Sequence, residues 1–301
     1  ANVVLTFNAN VNGATVTAAS VKIAGRWSGP VPGTLQTSGA VVTFTPSRPY
    51  FVGERVAVNV SSAVQSATAQ PLTGGFASAF WVKPKPATGA YVLDSTYNYR
   101  LPGEGSIRTY GFFAGDVDRD GTPDLTATNE ISNDIRLLKN DGCGNYGPMV
   151  IYPMSPGSEP SPNEGADLNG DGYLDLVTGN QSSGTIAVFL NNGAGGYLAP
   201  VNYPIGGTTY GVALLDVEGD GDIDVAASNF SNVSIFRNNG AGVLTFTGAY
   251  SGGNGEWQVA SADANNDGWT DLFTANYNGN NVGLLLNNGA GAFVLSATRA
   301  T

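Results

Sequence analysis

The sequence predicts an all-β protein in two parts, a small β-sandwich followed by a repetitive unit of short antiparallel strands. Glycine accounts for 42 of the 301 residues, about twice its average usage, and charged residues make up only 12% of the chain. Residues 1–86 contain short segments in which apolar and polar residues alternate. Residues 87–301 repeat a pattern roughly every fifty residues. Composition, alternation and repetition together favour strands and turns over helices.

The composition excludes several classes of function. The 13 basic and 24 acidic residues give a formal net charge of -11, which repels phosphate, so we expect no nucleic-acid partner. No run of about 20 apolar residues is present, so we expect no membrane insertion. The sequence has no histidine, which excludes His-based triads and His-ligated metals. The single cysteine, Cys143, excludes an intrachain disulfide and a multi-cysteine metal site.

The first part is predicted to be a small sandwich of short strands separated by Gly and Pro, with two sheets that share one thin core. The stretch KPKPATG, Lys83–Gly89, is the predicted linker, because alternating prolines block both helices and sheet ladders. We therefore divide the chain into residues 1–86 and 87–301. The predicted strands of the first part are Asn2–Phe7, Ser20–Ile23, Val41–Thr45, Arg55–Val60 and Ala77–Val82.

Three segments of the first part, VVLTFNANV, VVTFTPSRPYFVGERVAVNV and FASAFWV, resemble the bacterial Ig-like module found in surface-layer and other exported proteins. In that family the first strand ends in Phe, an FTP strand precedes a glycine turn, and the closing strand carries a second Phe. The resemblance implies an Ig-like β-sandwich. No residue of this part suggests chemistry, and we expect Trp27 and Trp81 to pack in the core or between domains.

The second part contains four aligned segments: DVDRDGTPDLTATN, DLNGDGYLDLVTGN, DVEGDGDIDVAASN and DANNDGWTDLFTAN. They start at Asp116, Asp167, Asp216 and Asp263. Each first Asp is followed 13 positions later by an Asn, and that fixed offset makes a chance match implausible. A further strand and an Asn-Gly-type hairpin turn follow each segment. These Asn residues are Asn129, Asn180, Asn229 and Asn276.

One repeat is therefore predicted to form an inner strand, an acidic loop, a second strand, a third strand that ends at the hairpin turn, and an outer strand. Four antiparallel strands in a repeat of this length are typical of a propeller blade, and a parallel β-solenoid is the alternative. With loops and turns placed in this way, residues 90–301 resemble the FG-GAP/VCBS repeats of integrin-like β-propellers. The predicted fold is thus an Ig-like sandwich followed by a β-propeller.

The acidic loops follow the pattern D-x-[DNE]-x-D-G-x-x-D, which places oxygen side chains at positions 1, 3, 5 and 9 and a turn-forming Gly at position 6. Hard oxygen ligands in this number suit Ca²⁺. An EF-hand would need Glu at position 12, but Ala or Thr stands there in all four loops, so the helix-loop-helix interpretation fails. Instead, position 9 is predicted to open a β-strand, as the FG-GAP resemblance implies.

We expect about four bound Ca²⁺, one per repeat, which would change the formal charge from -11 to -3. Solvated acidic turns and catalytic Asp pairs are the alternatives. Solvated turns are disfavoured because crowded carboxylates repel one another without a cation. Catalytic pairs are disfavoured because an active site occurs once, whereas these loops occur in four equivalent copies. Glu218 is longer than the usual Asp or Asn, so the third site is the weakest prediction. Position 7 is expected to offer its carbonyl in each loop, from Thr122, Tyr173, Asp222 and Trp269. The predicted side-chain ligands are Asp116, Asp118, Asp120 and Asp124; Asp167, Asn169, Asp171 and Asp175; Asp216, Glu218, Asp220 and Asp224; Asp263, Asn265, Asp267 and Asp271.

The leading functional hypothesis is a secreted or cell-surface adhesion module that is stabilised by calcium and contacts extracellular protein or glycan. Modules that bind calcium with low affinity work outside the cytoplasm. The functional residues of propellers lie on the loops at the ends of the blades. Phe230 and Tyr277 are candidates to stack on sugars, whereas Tyr210 and Trp257 are expected mainly to pack between blades. Because we find no pair of carboxylates outside the loops, we predict no catalysis. A polysaccharide lyase or hydrolase and a purely structural segment are the alternatives.

The number of strands does not close a ring of the usual size. Residues 90–103 match an outer strand, four repeats follow, and residues 292–301 match a further outer strand, whereas FG-GAP propellers usually have about seven blades. The chain is an excerpt, or four blades close alone, or chains complement one another. We favour pairing of residues 292–301 within their own blade and self-assembly through the unpaired strand at 90–101.

Overall fold

The computed structural model describes residues 2–51, 53–73, 75–82, 97, 99–265 and 267–300. The predicted linker at residues 83–89 and most of the predicted strand at 90–103 lie outside the described residues. Within the described residues the regular structure is almost entirely β, as the sequence predicts. No helix among them is long and apolar enough to span a bilayer.

The N-terminal domain is a two-sheet sandwich. One sheet has the order β1-β5-β4 and the other β3-β2-β6-β7, and Val21, Phe44, Val56 and Val58 pack in the core between them. All five predicted strands are present, and the structure adds β3 and β4. The elements are β1 Val3–Thr6, a 3₁₀ turn at Gly13–Thr15, β2 Val21–Gly25, β3 Gly29–Pro30, β4 Gly33–Ser38, β5 Val41–Pro46, β6 Arg55–Val60 and β7 Phe76–Trp81.

The second domain consists of four four-stranded antiparallel sheets that follow one another in chain order, which confirms the predicted propeller blades. Blade I contains β8 Thr109–Gly115, β9 Asp124–Asn129, β10 Asp134–Leu138 and β11 Val150–Pro153. Blade II contains β12 Pro160–Ala166, β13 Asp175–Asn180, β14 Thr185–Phe189 and β15 Val201–Pro204. Blade III contains β16 Gly211–Leu215, β17 Asp224–Ser228, β18 Val233–Asn238 and β19 Leu244–Tyr250. Blade IV contains β20 Glu256–Ala262, β21 Asp271–Asn276, β22 Asn281–Asn287 and β23 Phe293–Ala300.

The inner strands β8, β12, β16 and β20 lie side by side, so each blade packs face to face against the next. Blade III shows the result most clearly, because every residue of β16 and β17 is buried on both faces of the sheet. That explains why these strands read as GVALL and DVAAS, with nearly continuous apolar or small residues instead of strict alternation. Two clusters, one on each side of blade III, form most of the propeller core.

The last predicted strand pairs within its own blade, as expected. β23 lies antiparallel to β22 and forms the outer strand of blade IV. Near the start of the propeller, the side chain of Glu104 contacts blade I. Its carboxylate binds Arg136, a fully buried residue of β10, through contacts of 2.5 and 2.9 Å. This ion pair fastens the segment before β8 onto blade I.

The two tryptophans of the sandwich behave differently. Trp27 packs edge-on against Phe113 of blade I with ring centroids 5.8 Å apart, so its predicted interdomain role is confirmed. Trp81 is 63% exposed, and its predicted core or interdomain packing is wrong. The reason is its position at the end of β7, which is the edge strand of its sheet and pairs with β6 on one side only.

An asparagine at the end of each third strand connects neighbouring blades. The side-chain amides of Asn191, Asn238 and Asn287 donate to the carbonyls of Val117, Leu168 and Val217, each of which lies in the preceding blade's acidic loop. Each of the three amides also donates to a carbonyl of its own blade. In blade I the equivalent Asn140 has the own-blade bond to the Pro123 carbonyl.

We expect Asn238→Ala to lower the free energy of unfolding by about 1–3 kcal/mol, because it leaves buried carbonyls of two blades without a donor. Asn140→Ala is the matched control, since its side-chain amide donates to an exposed bond within one blade. Urea denaturation monitored by tryptophan fluorescence measures both variants. Equal destabilisation by the two substitutions would contradict a role in joining blades.

Candidate calcium loops and the inner cavity

The aspartate at position 9 holds the acidic loop and the hairpin together in every blade. One carboxylate oxygen accepts the backbone N–H of position 2, and the other accepts the N–H of the hairpin Asn, at 2.7 to 2.9 Å. All four side chains are buried. Position 9 therefore has a structural role that the calcium pattern alone did not reveal. These residues are Asp124, Asp175, Asp224 and Asp271.

The remaining loop geometry also repeats four times. The position 1 carboxylate accepts the N–H of the Gly at position 6, and the position 5 carboxylate accepts the N–H of position 7. The Gly has a φ of 90° to 99°, a left-handed conformation that side chains disfavour. Each loop thus curls around the carboxylates at its positions 1 and 5.

The first loop fits a calcium ion best. Carboxylate oxygens of Asp116, Asp118 and Asp120 all lie within 4.8 Å of one another, and within the described residues this is the one cluster of its kind. One Asp116 oxygen is buried and has no hydrogen-bond partner. Three converging hard oxygens, one of them unpaired, form part of the oxygen ligand set that Ca²⁺ takes. The nearest cation is Lys139, whose Nζ lies 3.5 Å from Asp118 at a partly exposed position.

The second and third loops each contact an arginine. Arg48 of the sandwich domain places Nη2 2.5 Å from Oδ2 of Asp167, at position 1 of the second loop. In the third loop, Oε1 of Glu218 lies 3.2 Å from Nε of Arg237. The longer side chain of Glu218 therefore reaches a cation outside the loop. This ion pair is a physical reason why the third calcium site is the weakest prediction. In the fourth loop, Asp263 is exposed.

Burial raises the pKa of three position 9 carboxyl groups, those of Asp124, Asp175 and Asp224. Desolvation is the main cause, and it brings the pKa of Asp124 to about 6 and that of Asp175 to about 7, while the backbone hydrogen bonds act in the opposite direction. The pKa of Asp224 is raised for the same reason. Neighbouring carboxylates add to each shift. A divalent cation in the loop would favour the ionised forms and lower these pKa values.

The inner strands enclose a cavity of about 340 Å³. Tyr110 and Phe112 come from blade I, Asn163 and Glu164 from blade II, and Trp257 from blade IV. The residues of blades I and II were not predicted from the sequence, because only the side-by-side arrangement of the inner strands brings them to one cavity. An aromatic residue at the start of an inner strand, as in GFFAG after Tyr110, was the available signal.

Four aromatic side chains form a cluster at one end of the cavity. Tyr210 stacks on Trp257 at 4.0 Å with an interplanar angle of 14°, so the expected packing between blades III and IV is confirmed. Both residues also line the cavity. Phe230 and Tyr277 surround Trp257 at centroid distances of 6.2 and 5.3 Å, and Tyr277 is 67% exposed. The packing and sugar-binding candidates therefore belong to one continuous surface.

The fold and the repeated acidic loops define a β-propeller that follows an Ig-like sandwich. The model of the FG-GAP-like repeat matches residues 116–178, 167–227 and 216–274, and that of the bacterial Ig-like domain matches residues 1–82. The chain therefore belongs to the FG-GAP-like repeat family, with a bacterial Ig-like domain at residues 1–82. No curated protein matches the chain.

Several solved structures are similar to this chain at low identity. One is an Agrocybe aegerita lectin that recognises non-reducing terminal N-acetylglucosamine, with 18% identity, coverage of 97% of this chain and 79% of that one, and a TM-score of 0.47. The Pseudomonas aeruginosa periplasmic gluconolactonase has 17% identity, coverage of 90% and 66%, and a TM-score of 0.49. A putative 6-phosphogluconolactonase from Bacteroides uniformis has 14% identity, coverage of 93% and 82%, and a TM-score of 0.49.

These similarities correct the prediction that the protein has no catalytic activity. The prediction was wrong. The lack of histidine and of a carboxylate pair outside the loops is not enough to exclude an enzyme. Solved structures similar to this chain include lactonases as well as a lectin. A common fold does not decide between these functions, so the decision depends on the residues of the site.

The raised pKa values predict how pH and calcium act together. A carboxyl group whose pKa is raised in the folded state stabilises the protein below its unfolded pKa, and this contribution is lost as pH rises through the folded pKa. In chelator, the propeller should therefore lose stability between about pH 4 and pH 7, where Asp124 and Asp175 ionise. Calcium should restore more stability at pH 8 than at pH 5. Thermal melts with and without chelator across this range provide the measurement, and a calcium effect independent of pH would contradict the assignment.

Proposed function

We propose that this protein is a secreted or cell-surface, calcium-stabilised module that binds an extracellular glycan. The observation that carries the proposal is the aromatic-lined cavity between the inner strands. Sugars present apolar C–H faces that stack on aromatic rings, and hydroxyl groups that need polar partners. Here Trp257 and Tyr110 offer the rings, whereas Asn163 and Gln258 offer amide groups.

The cavity fits a small part of a glycan. A volume of about 340 Å³ lies at the lower end of the range for small-molecule sites. The exposed ring of Tyr277 extends the aromatic surface beyond the cavity, which suits further sugar residues of a longer chain. The formal charge of -11 favours neutral or basic sugars over acidic ones. A protein loop with an exposed aromatic residue is the other class of ligand that this surface suits.

Calcium has a scaffolding role in this proposal. The first loop provides the best donor set, and each loop is joined through its position 9 aspartate to the hairpin of the same blade. An ion bound there would stabilise blade geometry and hence the spacing of the inner strands. Extracellular calcium is millimolar, which matches the affinities of extracellular modules, and this supports a site of action outside the cell.

A polysaccharide-degrading enzyme is the second candidate, because Glu164 is an acidic residue among those that line the cavity. Burial raises the pKa of Glu164, and Arg26, 3.5 Å away, partly offsets the shift. A raised pKa suits a carboxyl group to act as a general acid that donates a proton to a leaving group. Glu164→Gln should abolish turnover and preserve glycan binding if this candidate is correct. Turnover that is unchanged in the variant would exclude Glu164 as the acid.

Under the binding proposal, Trp257→Ala should weaken glycan affinity by at least about tenfold, because a central aromatic contact carries much of the energy of such a site. Tyr110→Ala, at a position that is 52% exposed, tests the opposite wall with less risk to folding. Trp81→Ala is the matched control, since this exposed Trp lies on the sandwich domain. A glycan array selects the ligand, and calorimetry measures the variants. Equal affinity in all of them would place binding elsewhere.

A further inference from the structure

The sandwich domain presents its basic residues to the acidic face of the propeller. Arg48 contacts Asp167, and Arg26 lies 3.5 Å from Glu164. Lys22 lies over the ring of Trp269, at position 7 of the fourth loop, with Nζ 5.5 Å from the ring centroid. Lys22 also acts on Asp216, so the same face of the sandwich brings positive charge to the second, third and fourth loops. Four equivalent calcium sites would need four loops with the same electrostatic surroundings, and the surroundings of these loops differ.

The contact of Arg48 with the second loop is the closest of these. Nη2 of Arg48 lies 2.5 Å from Oδ2 of Asp167, and the Asp167 side chain is fully buried. The same oxygen accepts the N–H of Gly172, and the backbone N–H of Asp167 donates to the Trp27 carbonyl at 2.6 Å. Position 1 of the second loop is thus bound by the sandwich through both its side chain and its backbone.

The guanidinium also lies over the turn of the loop. A Cβ placed on Gly172 would meet Nη1 and Cδ of Arg48 at 3.5 Å, and Nη1 of Arg119 at 2.8 Å. Arg119 comes from the first loop and lies over the ring of Tyr173, at position 7 of the second loop. Two positive charges therefore border a loop that contains three carboxylates and one amide at its predicted ligand positions.

We propose that Arg48 takes the place of calcium at the second acidic loop, so that the sandwich domain supplies the cation of that site. The inference rests on the calcium binding proposed above for the other loops. A divalent ion beside a buried guanidinium experiences like-charge repulsion, which is strong where water is excluded. A site that shares its first carboxylate with Arg48 is consequently weaker for Ca²⁺ than the first loop, by at least about tenfold.

The first loop shows why a nearby basic residue alone is not enough. Lys139 lies 3.5 Å from Asp118, its side chain is one-third exposed, and it contacts position 3 instead of position 1. Water screens such a pair, and a lysine on the surface can move aside when an ion binds. Arg48 has 18% of its side chain exposed and is positioned by the docked domain. The difference between the two loops therefore depends on the interface between domains.

Docking of the sandwich keeps Arg48 in place. Phe51 of the sandwich packs in the same cluster as Phe113, Val117 and Leu174 of blades I and II. The buried carboxylate of Glu54 accepts the backbone N–H groups of Trp27, Ser28 and Phe51 at 2.6 to 2.9 Å. Glu54 thereby orders the two segments that flank Arg48 at the interface. Calcium at the second loop would disturb this arrangement, whereas Arg48 completes it.

The test counts calcium bound by the full chain. Equilibrium dialysis followed by atomic absorption should show one more bound ion per chain in Arg48→Gln than in the unsubstituted protein. One oxygen of Asp167 is buried without a partner, so the freed loop has a ligand ready for the ion. Arg48→Lys keeps the charge and should preserve the original count. Lys139→Gln is the matched control at the first loop and should not add an ion.

Asp167→Asn identifies the loop that gains the ion. In the Arg48→Gln background it should return the count to the original value, and in the unsubstituted chain it should leave the count unchanged. Arg48→Met, which keeps the apolar stem without the charge, replaces Arg48→Gln if the latter is poorly folded. An equal count in the neutral variants and the unsubstituted protein would overturn the proposal for Arg48. If none of these proteins binds calcium, the calcium part of the proposed function fails with it, whereas glycan binding is tested separately.

Discussion

A buried aspartate at the start of each second strand organises the whole propeller. Its two carboxylate oxygens each accept a backbone N–H, one from the acidic loop and one from the hairpin at the end of the third strand. Two ends of the blade that are distant in sequence are thereby held by one side chain. The same hairpin residue, an asparagine, then donates to the preceding blade. Loop, hairpin and neighbouring blade form one hydrogen-bonded unit that repeats.

This organisation has an electrostatic consequence. Placing carboxylates in a buried position raises their pKa values, and further carboxylates at positions 1, 3 and 5 add repulsion. The acidic face needs positive charge. In our proposal the first loop takes it from a calcium ion, whereas the second loop takes it from Arg48 of the sandwich. Identical sequence motifs can therefore be balanced in different ways, according to what packs against each of them.

The inner face of the propeller follows from the same repetition. Four equivalent strands lie side by side, so residues at corresponding positions meet at one cavity even though they are separated by about fifty residues. Tyr210, Trp257 and their neighbours both join blades III and IV and form the wall of that cavity. Binding and packing are therefore coupled, because the residues that would contact a ligand also hold two blades together.

The all-β class, the order of the two domains, the four blades and the carboxylates of the acidic loops could all be predicted from the sequence. These features depend on local signals: alternation, glycine turns and a motif whose members lie within nine residues. The repeat also predicted strand order, because adjacent strands of a blade are adjacent in sequence. Tertiary structure alone decided the partner of Asp167, the cavity between Tyr110 and Trp257, and the exposure of Trp81. Arg48 and Asp167 are 119 residues apart, and no periodic pattern connects them. Their contact depends on how the sandwich docks, and docking is set by the shape and charge of folded surfaces that a linear pattern does not contain.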